Sequence, residues 1–224
     1  MKPTLPLLLS LNGGYVDTAG FLALQGLFTA HVTGNFVTLG ASLVLGISGI
    51  AAKLLALPVF CVVVIATRLA GEALRRRKMP VLLGAKLALL VAGATLAIRF
   101  GPFANGDSLP AIVTGMVLVT AMAIQNAVHR VHLSAAPPST LMTGTTTQIM
   151  LDIGDLLAGG APEARAGLVA RLRRMSAAVA VFAAGCGAAA LGYAFLGVWC
   201  FTAPPLIALL ALLVRLSAPA EDAG

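Results

Sequence analysis

The chain has 224 residues, of which 59% are hydrophobic and only 10% charged, and its mean hydropathy is +0.97. So few charged residues exclude the polar coat of a water-soluble domain, and the expectation is one integral membrane domain over residues 1–224. The formal net charge of +7 falls between apolar runs, where it orients a chain in a bilayer, so nucleic-acid binding is set aside.

A span needs about 20 apolar residues. Taken in chain order, the runs 5–28, 54–74, 81–98, 110–128, 175–196 and 198–216 meet that requirement. The first begins with a short apolar stretch broken by Asn12, Gly13 and Gly14 and followed by no small-residue cleavage site, so it reads as a span and not as a leader. Two further segments, 33–47 and 141–157, are shorter and open on polar residues. Cys61, Cys186 and Cys200 lie in or beside apolar stretches without metal-site spacing and read as small apolar residues.

The two short segments resemble each other. His31-Val32-Thr33-Gly34-Asn35 in the first half is echoed by Leu141-Met142-Thr143-Gly144-Thr145 in the second, an offset of 110 residues from Thr33 to Thr143. Upstream, Asp17 and Asn126 precede their Thr-Gly pairs at nearly matching distances, which suggests a duplication with halves of about 1–105 and 106–224. Loop charges separate the topologies. With both short segments turning back on themselves there are six spans, and Lys2, Arg75, Arg76, Arg77, Lys78, Arg130, Arg165, Arg171, Arg173, Arg174 and Arg215 share one side against Lys53 and Arg99. Eight spans would divide these charges eight against five, a poor bias; seven, with only 33–47 crossing, divides them ten against three and remains an alternative by counting. The sequence therefore predicts an all-α, polytopic membrane helix bundle of about six spans plus two short re-entrant half-helices. Three crossings per half make the repeat inverted, with N- and C-termini cytoplasmic.

Re-entrant backbone is tolerated where protein or a wet cavity surrounds it. Thr33 and Thr143 are expected to cap the two half-helices, with Gly34 and Gly144 allowing close approach. Two helix N-termini meeting near the midplane favour an anion or the oxygen of a polar solute. Thr33, Gly34, Asn35, Asn126, Thr143, Gly144, Thr145 and Gln148 are the expected solute-binding residues; the bland reading is that such groups hold helices together. Asp17 falls within the first span, where an ionised carboxylate costs about 2.5–3.5 kcal/mol on insertion scales, and it is the expected coupling residue with His31 beside it. The bland reading of Asp17 is a structural hydrogen bond to Asn12, Thr18 or a facing helix. Arg68 and Glu72 are spaced for an ordinary salt bridge, Asp152 and Asp155 are expected to be solvated, and the basic clusters read as topogenic. No catalytic or cofactor-binding signature is present, so no enzyme, metal or cofactor is expected.

Gly14-Tyr15-Val16-Asp17 with Gly20-Phe21, then His31-Val32-Thr33-Gly34-Asn35, and later Gln125-Asn126 with Met142-Thr143-Gly144 resembles the YoaK family of bacterial inner-membrane proteins across nearly the whole chain. That resemblance implies a bacterial inner-membrane location and, since the family is a domain of unknown function, no activity. The expectation from the residues is a transporter or channel for a small polar or anionic solute. Its rival is a non-transporting scaffold or accessory subunit. Membrane lipid is the surrounding partner, and a homo-oligomer is compatible with the sequence.

Overall fold

The computed structural model describes residues 4–74, 78–140, 142–159 and 162–217. Among these the chain is all helical: α1 (Leu5–Ala23), α2 (Asn35–Leu45), α3 (Ile50–Leu74), α4 (Lys78–Phe100), α5 (Leu109–His132), α6 (Met142–Leu157), α7 (Pro162–Leu196) and α8 (Ala203–Leu216). A 3-10 turn over Val32–Gly34 leads into α2, and another over Gly197–Thr202 leads into α8. Among the described residues, four helical stretches are long and apolar enough to cross a membrane: Ile50–Gly71, Met79–Phe100, Leu109–His132 and Arg165–Leu216. The 19 residues of α1 have the length, but Ser10, Asn12 and Asp17 dilute their apolar character.

The first predicted span, 5–28, ends sooner than expected, at Ala23. Gln25 and Gly26 adopt positive φ, which α-helix cannot accommodate, and the chain turns there. The predicted start at 175 lies inside a helix that begins at Pro162, because the Arg-rich stretch before it is also helical. The segment 75–77 and Leu141 lie outside the described residues, as do the side chain of Glu72 and with it the expected Arg68–Glu72 pair.

α1 packs chiefly on α7 and also contacts α5 and α8, α5 packs on α3 and α4, and α4 packs on α8. The crossing of α1 with α7 is close enough to need glycine: a Cβ on Gly14 would strike the Phe182 carbonyl, and one on Gly185 would strike that of Leu11. Small residues at a crossing bring backbones together where lipid supplies no hydrophobic drive between helices. The short helices sit at the margin, α2 on α3 and α6 on α7.

Polar contacts identify which helix ends lie together. The Gln25 amide, just past α1, donates to the Phe103 carbonyl at 3.0 Å. Asp107 accepts from the Gly49 and Ala51 N–H groups at 2.8 and 2.9 Å, capping α3 from a distant loop. Gly106 N–H donates to Ser48 Oγ at 2.9 Å. The C-terminal ends of α1, α2 and α4 therefore gather with the starts of α3 and α5. Lys53, buried near this end, donates to Ser42 Oγ of α2 at 2.7 Å and to the Ser48 carbonyl at 3.2 Å, tying α2 to α3.

Candidate functional site: two returning loops on one face of α1

α1 ends at Ala23, and the segment that follows runs back along it. Asp17 Oδ1 accepts from the N–H groups of Thr29 at 2.8 Å, Ala30 at 2.7 Å and, more weakly, His31 at 3.4 Å. Its Oδ2 lies 2.7 Å from His31 Nδ1, an ion pair whenever the imidazole is protonated. Asp17 is buried, while the His31 side chain keeps 32% of its exposure and stands edge-on to Phe182 of α7. Successive backbone N–H groups around one carboxylate form an anion-binding nest, and here the protein's own anion fills it. Asp17 lies six residues before the helix end, so the loop reaches about 9 Å back along the axis.

Asn35 then closes the loop: its Oδ1 accepts from Phe28 N–H at 2.9 Å and its Nδ2 donates to the Phe28 carbonyl at 2.8 Å. This side chain, expected among the solute ligands, is engaged with backbone. Thr33 is exposed and not a cap, since the 3-10 turn before α2 starts without any side-chain cap bond. Asp17 and not Thr33 holds the N–H groups that precede the helix. A Cβ on Gly34 would meet the Phe28 ring, so that glycine allows the close approach expected of it.

The second half repeats the device. After α5 ends at His132, the chain returns so that Thr140 Oγ1 donates to Asn126 Oδ1 at 2.6 Å, again six residues before the helix end. The sequence separation is 14 residues in both cases, His31 to Asp17 and Thr140 to Asn126. Gln125 adds a hub: its Nε2 donates to the Leu9 carbonyl at 2.9 Å and to Ser139 Oγ at 3.1 Å. Its Oε1 accepts from Lys86 Nζ at 2.5 Å. Lys86 is buried on α4 with 1% exposure, and Gln125 is its hydrogen-bond partner. Sequence reasoning missed this lysine, although a cation inside the apolar run 81–98 is itself the signal.

Both returning loops touch α1. A Cβ on Gly13 would lie against the Ser139 carbonyl and the Thr140 methyl, while Asp17 holds Thr29 to His31. Gly13 and Asp17 are four residues apart, one turn or about 6 Å on one face. The 3-10 turn leading to α2 and the start of α6 thus follow loops anchored within a turn of each other.

In α6, Thr143 lies in the first turn and is exposed, Gly144 faces open space, and Thr145 is buried. The cap position, Leu141, is outside the described residues. Gln148 Nε2 donates to Asp152 Oδ1 at 2.7 Å. Asp152, expected to be solvated, is instead completely buried, gripped by Arg171 through Nε at 2.8 Å and Nη2 at 2.6 Å. That bidentate pair fastens α6 to α7 and gives Arg171 a structural task beyond topology. Contacts between Thr33–Asn35 and Thr143–Thr145 are not among the main helix pairings; α2 leans on α3 and α6 on α7.

A cleft of about 580 Å³ opens beyond the second loop. α3 contributes Phe60 and Val64, α7 contributes Arg171, Arg174 and Met175, and Asn126 and Thr140 lie at its inner end with the loop 134–139 along one wall. It is the place where a polar anchoring site communicates with space large enough for a small molecule.

These features define an integral membrane protein of the helical-bundle class. A family model described as protein of unknown function (DUF1275) matches residues 5–214, and the chain belongs to that family. The YoaK resemblance is consistent with this membership. Neither the curated proteins nor the solved structures contain a significant match.

Proposed function

We propose that the chain is a bacterial inner-membrane transporter or channel for a small polar or anionic solute, with six spans and with α2 and α6 as re-entrant half-helices of an inverted repeat. The observation that carries this reading is the paired return of the two loops, each from the C-terminal end of its helix, to Asp17 and Asn126. Each reaches back six residues, each spans 14, and both press on one turn of α1. Irregular backbone at that depth is sustained only inside protein or beside water, and such places are where transporters bind. The clustering of α1, α2 and α4 C-termini with the starts of α3 and α5 favours the same topology, because α2 then begins and ends without completing a crossing. Its 11 residues span about 16 Å, half of a bilayer core. The basic end, with Arg130, Arg171 and Arg174, is the cytoplasmic one, and the cleft is its vestibule.

The rival, a non-transporting scaffold, draws on Asp17 being buried and bonded through both carboxylate oxygens, as a purely structural residue would be. Swelling of proteoliposomes separates the two. With glycerol, urea, acetate and phosphate as probes, the transport reading expects at least one solute to enter faster than in protein-free vesicles. Coupling a bulky thiol reagent to Ala135→Cys, exposed on the cleft wall, should stop that entry. Swelling identical to empty vesicles for all four solutes would favour the scaffold.

A further inference from the structure

The cleft has a charged mouth and an apolar interior, and the two lie at different depths in the membrane. Arg130, two residues before the end of α5, and Arg174 of α7 are exposed on its wall and make no ion pair among the described residues. Arg171 stands with them, already bound to Asp152, and among the described residues no carboxylate lines the cleft. Below this level the wall turns apolar. Met175 follows Arg174 directly, while Val64 and Phe60 of α3 lie about 15 and 21 Å from that helix's end at Leu74, inside the apolar stretch Ile50–Gly71. Space remains between α3 and α7 because α3 packs chiefly on α5, α2 and α4, and α7 on α1 and α6. A second, more open groove continues along α7, where Arg165, Arg173 and Arg174 flank Ala166, Val169 and Ala170, so Arg174 is common to both.

Guanidinium groups from different helices that share one cavity without a carboxylate draw an anion, and their forks fit phosphate oxygens. A free anion would use only the mouth and leave the space against Phe60, Val64 and Met175 unfilled, since an apolar wall offers water no partners. An anionic amphiphile fills both levels. We propose that the cleft binds an anionic phospholipid of the cytoplasmic leaflet, its phosphodiester at Arg130 and Arg174 and one acyl chain passing between α3 and α7 against Val64 and Phe60. Basic pockets between membrane helices on the cytoplasmic side are suited to such headgroups. Phosphatidylcholine carries the same phosphodiester, but its ammonium would enter a site lined by arginines with no carboxylate to receive it, so the cleft discriminates by repulsion as well as attraction. The inference does not depend on the transport reading, since a scaffold would hold the lipid equally well.

The test uses the purified full-length chain in detergent, with native mass spectrometry comparing phosphatidylglycerol and phosphatidylcholine of the same chain length. Phosphatidylglycerol should bind at least about tenfold more tightly, and glycerol phosphate, its headgroup without chains, should not displace it at equal concentration. Arg130→Gln and Arg174→Gln, both at exposed side chains, should each weaken binding about tenfold. Arg215→Gln removes the same charge from the last turn of α8, outside the cleft, and should change binding by less than about twofold. Phosphatidylglycerol carrying a diazirine in one acyl chain should crosslink to Phe60 and Val64, and about tenfold less in the double arginine variant. Equal binding of the two lipids overturns the proposal, as does Arg215→Gln weakening binding as much as Arg130→Gln, which would mean diffuse attraction to the basic end. Displacement by glycerol phosphate would make this a site for a soluble anion and no lipid site. Crosslinks confined to the exposed Val62, Ile65 and Leu69, and indifferent to the arginines, would place the lipid on the outer surface of α3 and contradict the account equally.

Discussion

Gln125→Leu is expected to cost the fold about 3–5 kcal/mol, the amount typical of leaving a buried cation without the group that stabilises it. Three groups lose their bond at once: the Lys86 ammonium, the Leu9 carbonyl and the Ser139 hydroxyl. The lysine dominates, because it is fully buried and the glutamine oxygen is its acceptor. Lys86→Met in the same chain should recover much of the loss, since it replaces a stranded cation by an apolar side chain of similar length. Lys86→Met alone should be far milder than Gln125→Leu, leaving one amide oxygen unpaired, at about 1–3 kcal/mol. Melting curves of the three variants in detergent measure this as a double-mutant cycle, the two sites being in direct contact. Additive effects, with the double variant worse than Gln125→Leu, would show that the lysine and glutamine do not depend on each other.

The second large effect belongs to Asp17. Asp17→Ala removes the acceptor that holds Thr29, Ala30 and His31, and the loop loses two short charge-assisted bonds, one weaker bond and the His31 contact. At about 1.5–3 kcal/mol for a hydrogen bond to a charged group, hydrogen exchange of the amides at 29–31 should accelerate about 100-fold or more. The second apolar cluster, which includes Leu83 of α4, Val128 of α5 and Ala211 of α8, contains no residue of this loop and should keep its protection. Asp17→Asn separates charge from geometry: one oxygen still accepts from the loop, so the fold survives, while the negative partner of His31 is gone. Under the transport reading, solute entry in proteoliposomes should fall at least tenfold in Asp17→Asn despite a normal melting curve. Unchanged entry would make Asp17 purely architectural.

Much of the bundle is legible in the sequence because its signals are local. Apolar runs locate α3, α4, α5, α7 and α8, and the Thr-Gly echo locates the turns that precede α2 and the start of α6. What the sequence conceals is where each polar group finds its partner. Asp17 is singled out correctly as unable to remain bare in an apolar helix, yet its partners, the backbone N–H groups of residues 29–31, have no side-chain signature. Asn35 looks like a solute ligand because an amide in an apolar segment demands partners, and the loop backbone at Phe28 supplies them. Asp152 looks solvated because the next carboxylate, Asp155, extends a polar helix end; only packing of α7 across α6 brings Arg171 onto it. Lys86 is legible in principle, a cation in an apolar run, but orientation is read from loop charges, and a cation inside a span is not one of them.

The central claim, that the segments 33–47 and 141–157 each enter and leave by one face, is tested most directly by labelling intact cells. On a background with Cys61, Cys186 and Cys200 replaced, single cysteines at Ile47, Ala135 and Ala158 are exposed to a membrane-impermeant thiol reagent from outside. The six-span account predicts labelling at Ile47→Cys alone, with the other two reacting only after the cells are opened. Labelling at Ala135→Cys alone would mean that both segments cross, and labelling at Ala135→Cys together with Ala158→Cys would mean that only the first does; either result contradicts the account.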